Sequence, residues 1–237
     1  MASPLIRYIC IAVALVALDG AIGMALVTSM VGFLANRGKG PFEVADSPSN
    51  FALSGQPANL IVDQGHTTNG TCGTALILVG VGGVLALVLE IKSRKKCGKS
   101  SKIFYLWALC TILNWLLTLT ALIYTFVVTT MTDNQTIDIA LAAANKAPAK
   151  YPKDDWTPEN WYTAVLDLPL TNDGDRDVIS RNVSLMRGWR FNIIPLFILG
   201  FVLMDLVILE VLRTRKQSRG MYGRAASGDH SSGDQKV

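Results

Sequence analysis

The chain has few of the residues that most often build catalytic or metal sites. Only two histidines occur in its 237 residues, His66 and His230, and neither falls in an apolar segment. This excludes a pair of histidines ligating haem between membrane helices, and it disfavours histidine-based acid–base catalysis. The acidic stretch at residues 173–177 lacks the glycine and glutamate that a calcium loop needs. The sequence therefore predicts no enzymatic activity, no metal and no cofactor.

Charged residues are also scarce, at 17% of the chain, whereas 50% of the residues are hydrophobic. A soluble domain of ordinary composition is more polar than this. The apolar residues concentrate in four segments: Leu5 to Leu34, Thr74 to Ile91, Ile103 to Met131 and Phe191 to Leu212. Because a helix needs about 20 residues to cross a bilayer, the sequence predicts four membrane-spanning helices. The first apolar run is too long for a cleaved signal peptide, so we expect it to remain in the mature protein.

Basic residues indicate the orientation. The link between the second and third apolar segments, "KSRKKCGKSSK", has six basic residues and no acid, and the region after the fourth segment opens with "RTRKQSR". By the positive-inside rule, both lie in the cytosol, as do both termini. These two regions are also expected to attract anionic lipids of the cytosolic leaflet, and the net charge of +4 does not indicate nucleic-acid binding.

Three N-glycosylation sequons agree with this orientation, because Asn69, Asn134 and Asn182 all fall in the two predicted outer loops. A plasma-membrane or secretory-pathway location is therefore expected. The predicted order is membrane helices 1 to 3 within residues 1–131, with a short outer loop 35–73 and a basic inner loop 92–102, then a large outer loop 132–190, membrane helix 4 at 191–212 and a disordered cytosolic tail 213–237.

This topology resembles that of the tetraspan proteins, which have cytosolic termini and two outer loops and include tetraspanins and claudins. The resemblance covers nearly the whole chain. The chain carries neither the Cys-Cys-Gly motif of tetraspanins nor the Trp and Cys pair of the first claudin loop. The predicted fold class is an all-α membrane protein, a four-transmembrane-helix bundle with a small helical extracellular cap.

Only Cys72 of the four cysteines falls in a predicted outer loop, so no disulfide can form within the outer region. Packing must then hold these loops. Cys72 is either a buried or free thiol or a link between two copies. Cys97 lies among lysines and Cys10 lies near the inner face, positions that suit palmitoylation.

Polar residues within the apolar segments form a second candidate site. Counted from the inner helix ends, Asp19 and Asn114 both lie about 18 Å along their helices, and Asp205 about 12 Å. Because a carboxyl at membrane depth is costly, we expect these residues to face the bundle interior as a polar ladder. The ladder would either hold the helices together or carry protons or cations.

Several further contacts are predicted near the helices. Small residues at Ala17, Ala21 and Ala25, and at Gly80, Gly82 and Gly83, indicate a close approach of helices 1 and 2. Glu90 and Glu210 are expected to form interfacial ion pairs with Lys92 and Arg213, respectively. Trp107 and Trp189 fit the interfacial aromatic belt.

The large outer loop is predicted to be helical in three places. "TIDIALAAANK" favours a helix over residues 136–146, and a third helix is expected at 176–187. Between them, Thr157 is placed as an N-cap before Pro158, with Trp156 and Trp161 as a hydrophobic staple, which predicts a helix from Pro158 to about Leu168. If not consumed in packing, Trp156, Trp161 and Tyr162 form a surface for a partner.

These features favour a non-enzymatic tetraspan protein that acts as a membrane organiser, scaffold or adhesion-type interaction protein, binding other membrane proteins or copies of itself. The alternative is a small proton- or cation-translocating protein that uses Asp19 and Asp205. A subunit of a larger membrane enzyme is a third possibility.

Overall fold

The computed structural model describes residues 4–228, with side chains up to residue 216 except that of Cys97. Most of this part is helical. The elements in chain order are α1 (Pro4–Ala35), a 3₁₀ turn (Arg37–Lys39), β1 (Phe42–Val44), β2 (Phe51–Leu53), α2 (Asp63–Thr74), a π-helical segment (Ala75–Val81), α3 (Gly82–Cys97), α4 (Lys102–Met131), α5 (Ile139–Ala144), α6 (Pro158–Leu166) and α7 (Asp173–Gly228).

Four helical stretches are long and apolar enough to cross a membrane: Pro4–Ala35, Asp63–Lys96, Lys102–Met131 and Asp173–Lys216. The prediction of four such helices is confirmed, and these stretches agree with a multi-pass membrane protein. The second stretch begins earlier than predicted, because α2, the π-helical segment and α3 follow one another without a break.

The last helix differs from the prediction at both ends. It begins at Asp173, so the separate helix expected at 176–187 is its first part, and it continues through Gly228. The prediction of a disordered tail is therefore wrong for residues 213–228, where arginine, lysine, glutamine and alanine all favour helix. Residues 229–237 lie outside the described part of the chain.

The first loop contains a two-stranded antiparallel hairpin, so the prediction of an all-α fold is incomplete. Phe42 pairs with Leu53 and Val44 with Phe51. Phe42 and Val44 are buried and Glu43 is exposed, as expected when successive side chains point to opposite faces. Each strand has three residues, too few for this alternation to stand out in the sequence.

The chain divides into two compact units. Unit 1 holds residues up to 18, residues 74–116 and residues from 198; unit 2 holds residues 19–73 and 117–197. Unit 2 has one contiguous hydrophobic core, formed by the hairpin, α5, α6 and the adjoining parts of α1 and α7. Tyr151, Trp156, Trp161 and Tyr162 are among its largest buried side chains.

Small residues allow close helix contact in unit 1. A Cβ placed on Gly80 would lie 2.7 Å from the Cβ of Ala17. This confirms the predicted close approach of the first and second long apolar helical stretches at these two residues. A Cβ on Gly83 would lie 2.9 Å from the ring of Trp107. Trp107 is buried and its Nε1 donates to the carbonyl of Val79, 3.2 Å away, in the π-helical segment. Trp107 therefore packs inside unit 1, contrary to its predicted place in the aromatic belt.

Candidate functional site

Helix α6 begins as the sequence predicts. Thr157 has extended backbone and its side chain accepts a hydrogen bond from the backbone N–H of Asn160, with Pro158 at the first helical position. The rings of Trp156 and Trp161 meet edge to face with centroids 5.2 Å apart, which is the predicted staple. These contacts fix the start of the helix and bring both indoles to one side of it.

The aromatic residues of this segment are not a partner surface. Trp156, Trp161 and Tyr162 are each 0% exposed, so the prediction of an interaction surface at these residues is wrong. Trp189, predicted for the aromatic belt, also lies in the core of unit 2. The sequence pattern could not separate these outcomes, because tryptophan and tyrosine are typical of both buried cores and interfaces.

The buried aromatic residues hold the first loop by hydrogen bonds to its backbone. Trp161 Nε1 donates to the carbonyl of Gly55 at 2.8 Å, and the Tyr162 hydroxyl donates to that of Gly38 at 2.7 Å. Burial raises the pKa of Tyr162, so its hydroxyl keeps the proton that it donates. Backbone bonds add to this connection, including Ile61 N–H to the Trp156 carbonyl at 2.9 Å. Packing and hydrogen bonding therefore hold the loops, as expected for a region with one cysteine.

A buried carboxylate lies on the other side of α6. Glu159 is 8% exposed and forms ion pairs with Arg190 at 3.0 Å and Arg187 at 3.4 Å. Burial raises the pKa of Glu159 although both arginines lower it. The Arg190 guanidinium also lies over the ring of Phe191, 4.9 Å from its centroid. This group links α6 to α7 within unit 2.

Unit 1 contains a different ionic cluster at the end that carries the basic loop. Glu90 and Glu210 are both 0% exposed. Arg94 bonds both, with Nε 2.6 Å from Glu90 Oε1 and Nη1 2.5 Å from Glu210 Oε1. The Ser100 hydroxyl donates to Glu90 at 2.6 Å. The predicted partner of Glu90 was Lys92, but Arg94 takes this place, because it lies one helical turn further along the same face.

The three polar residues that were predicted to lie within the membrane have different environments. Asn114 is buried and its Oδ1 accepts a hydrogen bond from the Thr74 hydroxyl at 2.6 Å. Asp19 is half-buried, its backbone carbonyl accepts from Asn192 Nδ2 at 3.4 Å, and its Oδ2 is buried with no hydrogen-bond partner among the described residues. Asp205 is exposed. The predicted ladder therefore fails at Asp205, which does not face the interior.

Asp205 lies at the centre of an exposed apolar face of α7. The five apolar residues that share this face are between 43% and 56% exposed: Ile198, Phe201, Val202, Leu209 and Leu212. Their spacing places them on one side of the helix around the carboxylate. We call these six residues the Asp205 face. Depth along the helix could be counted from the sequence, but the direction of the side chain could not.

The three sequons also differ in their surroundings. Asn134 is exposed in the turn after α4. Asn182 is half-buried in α7 and its Nδ2 donates to the Val178 carbonyl at 2.8 Å. Asn69 is exposed in α2. Asn134 is therefore the exposed sequon that lies outside a helix, and its glycosylation stays a prediction, as does that of the other two.

The cysteines suit their predicted roles to different degrees. Cys10 is exposed on α1, and Cys72 is buried in unit 2. Burial of Cys72 agrees with a buried thiol and leaves the Cys72 sulfur inaccessible for a link between copies. The side chain of Cys97 lies outside the described part of the chain, so its palmitoylation stays a prediction.

Within the part of the chain that the structure describes, no three His, Cys, Asp or Glu side chains lie close enough together to hold a metal ion. No protein-family model, curated protein or solved structure matches the chain. The tetraspan resemblance therefore rests on topology alone. Among the physical features described above, the Asp205 face is the most unusual.

Proposed function

We propose that the chain is a non-enzymatic membrane protein that organises partner proteins by lateral contacts between helices, and that the Asp205 face is its docking surface. A single observation carries this proposal: an exposed carboxylate surrounded by exposed apolar side chains in a helix that is long and apolar enough to span a membrane. The partner is a membrane helix that presents a lysine or arginine at the same depth.

An isolated carboxylate is costly in hydrocarbon. An aspartate near the centre of a membrane helix costs about 2.5–3.5 kcal/mol on insertion scales. Asp205 lies about 12 Å along the helix from Arg213, too far for its short side chain to reach the headgroups. A charged or hydrogen-bonding group on another helix would recover this cost. Phe201, Val202 and Leu209 would then supply the close packing around the pair.

The test uses a designed single-span helix of leucine and alanine with one central lysine, and the same helix with leucine in place of lysine. We expect energy transfer between labelled full-length chain and the lysine helix in vesicles, and little transfer to the leucine helix. Asp205→Leu should abolish the difference between the two helices, whereas Asp205→Asn should weaken it. Asp19→Asn, which changes a half-buried aspartate of unit 2, is the matched control and should bind as the parent does.

Equal transfer to both designed helices, or unchanged transfer in Asp205→Leu, would contradict the proposal. Ion translocation through Asp19 and Asp205 is tested in the same vesicles. If the parent conducts protons or cations and Asp19→Asn abolishes the flux while leaving assembly intact, translocation is the function. Exposure of Asp205 on an outer helix face favours the docking proposal over a path through the interior of one chain.

The location and orientation belong to the same proposal. The termini and the basic loop at residues 92–102 would face the cytosol, where they attract anionic lipids. The loops at residues 35–73 and 132–190 would form a small cap on the outer side of the plasma or a secretory membrane. The sequons and the basic loop support this orientation. A glycosidase-sensitive mass shift that disappears in Asn134→Gln would support it, and cleavage of residues 36–62 by protease added to the cytosolic side would contradict it.

A further inference from the structure

A groove of about 320 Å³ lies in unit 2 between the end of α1 and α2. Eleven residues line it, and four of them carry polar side chains: Lys39, Gln56, His66 and Asn69. The other seven lining residues have apolar side chains or are glycine. This volume lies at the lower end of the range for small-ligand sites, which are also mostly apolar with a few polar groups.

Two helix faces form the long walls of the groove. On α1, Val27, Met30, Val31 and Leu34 follow one another at spacings of three, one and three residues. On the other side, Val62, which directly precedes α2, and Gly65, His66 and Asn69 of α2 repeat the same spacing. This pattern places each set on a single face of its helix, so the groove follows both helix axes.

Glycine at position 65 shapes the floor. A Cβ on Gly65 would lie 3.1 Å from the terminal methyl of Met30, and a Cβ on Gly23 would lie 2.5 Å from Cys72 Sγ. Gly65 lies beside Met30 and Cys72 lies beside Gly23, so seven residues forward along α2 correspond to seven residues backward along α1. The two helices are therefore antiparallel. Asn69 is therefore close to the level of Val27, and Lys39 lines the opposite end of the groove.

The polar groups are spread along the groove, and its lysine lies at one end. Lys39 and Gln56 lie at the end where α1 stops, and the Gln56 amide is held there by its hydrogen bond to the Leu34 carbonyl at 2.8 Å. Lys39 is exposed and forms no ion pair in the described part of the chain. A mostly apolar groove, with a lysine at one end that forms no ion pair in the described part of the chain, matches a ligand with an apolar chain and an anionic head.

We infer that this groove binds a single-chain anionic amphiphile, a long-chain fatty acid, with its carboxylate at Lys39 and its chain between Val31 and His66. Charge complementarity at Lys39 selects the acid over an uncharged lipid of the same length, because an ammonium–carboxylate bond is about twice as strong as a neutral hydrogen bond. Val31 is 51% exposed and forms the open side through which the chain enters.

The experiment measures binding of radiolabelled palmitate to the purified full-length chain in detergent. We expect saturable binding of one palmitate per chain, about tenfold weaker binding for Lys39→Gln, and about tenfold weaker binding of palmityl alcohol to the parent. Lys146→Gln, which changes an exposed lysine outside the groove, is the charge control and should bind as the parent does.

Two further arms test the location and the source of the ligand. Val31→Trp should fill the groove from its exposed side and abolish binding, whereas Ile22→Trp, on an exposed α1 position outside the groove, should not. Equal effects of the two tryptophans, or equal binding of palmitate and palmityl alcohol, would overturn the inference. If vesicles of phosphatidylglycerol displaced the radiolabelled palmitate as effectively as unlabelled palmitate does, the inference would also be overturned, since the occupant would then be a two-chain lipid. None of these variants changes the Asp205 face, so docking and ligand binding can fail separately.

Discussion

The two units provide partners for their buried polar groups in different ways. In unit 2, indole and phenol groups donate to loop carbonyls, as Trp161 does to Gly55 and Tyr162 to Gly38, inside a large aromatic core. In unit 1, Arg94 lies between two fully buried glutamates. The first arrangement gains stability from packed area, whereas in the second much of the attraction offsets the desolvation of the charges.

The largest effect is expected in the aromatic core. Trp161→Ala removes a fully buried indole and leaves the Gly55 carbonyl without its donor, so the free energy of unfolding should fall by about 3–5 kcal/mol. Thermal unfolding in detergent and proteolysis of residues 36–62 measure the loss. Trp161→Phe keeps most of the packing and should lose about 1–3 kcal/mol. A loss of equal size in both variants would show that the hydrogen bond, and not the packed area, dominates.

A somewhat smaller loss is expected when the arginine of unit 1 is removed. Arg94→Met leaves Glu90 and Glu210 without their shared partner, which should cost about 3 kcal/mol. Arg94→Lys keeps the charge but cannot reach both carboxylates with one planar group, so it should lose part of this amount. A triple variant, Arg94→Met with Glu90→Gln and Glu210→Gln, should regain most of the stability. If it does not, the cluster stabilises unit 1 by more than charge compensation.

The cap of α6 should contribute less than either core group. Thr157→Ala removes the acceptor for the Asn160 N–H and should cost about 1 kcal/mol, whereas Thr157→Ser keeps it. The melting temperatures of the two variants measure the difference. Identical melting temperatures would mean that the contact of Trp156 and Trp161 alone determines where the helix begins.

The smallest effect is a pH dependence specific to unit 2. Because burial raises the pKa of Glu159, the folded protein holds this proton at a higher pH than the unfolded chain does. The stability gained is present below the ordinary glutamate pKa, about 4.3, and is lost as the pH rises through the folded pKa. The melting temperature of the parent should therefore fall relative to that of Glu159→Gln above about pH 4. If the melting temperatures of the parent and the variant changed with pH in parallel, Arg190 and Arg187 would fully offset the effect of burial on the pKa of Glu159.

Much of the helical architecture was predictable because its signals are local. Long apolar runs define the four helices that are long and apolar enough to span a membrane, and Thr157, Pro158 and the two tryptophans define the start of α6 within one turn. The ion pair of Glu90 with Arg94 also had a local signal, the spacing of four residues on one helix, although the nearer Lys92 was favoured.

The directions of side chains were not predictable in the same way. Asp205 was expected inside because a buried carboxylate can find a partner in its own chain, yet its helix turns it outward. Trp107 and Trp189 were expected at the membrane interface, but Gly83 leaves room for one and the core of unit 2 encloses the other. The hairpin depends on pairing between two three-residue strands, and no single strand carries that information.

The contact between Trp156 and Trp161 has an optical consequence. Two indoles with centroids 5.2 Å apart and planes at 78° couple their electronic transitions, and circular dichroism detects this coupling as a paired band of opposite signs. The band requires both rings in this geometry, so either tryptophan replaced by phenylalanine removes it. The chain thus carries an intrinsic spectroscopic label for the native state of unit 2, readable in any detergent or lipid without an added dye.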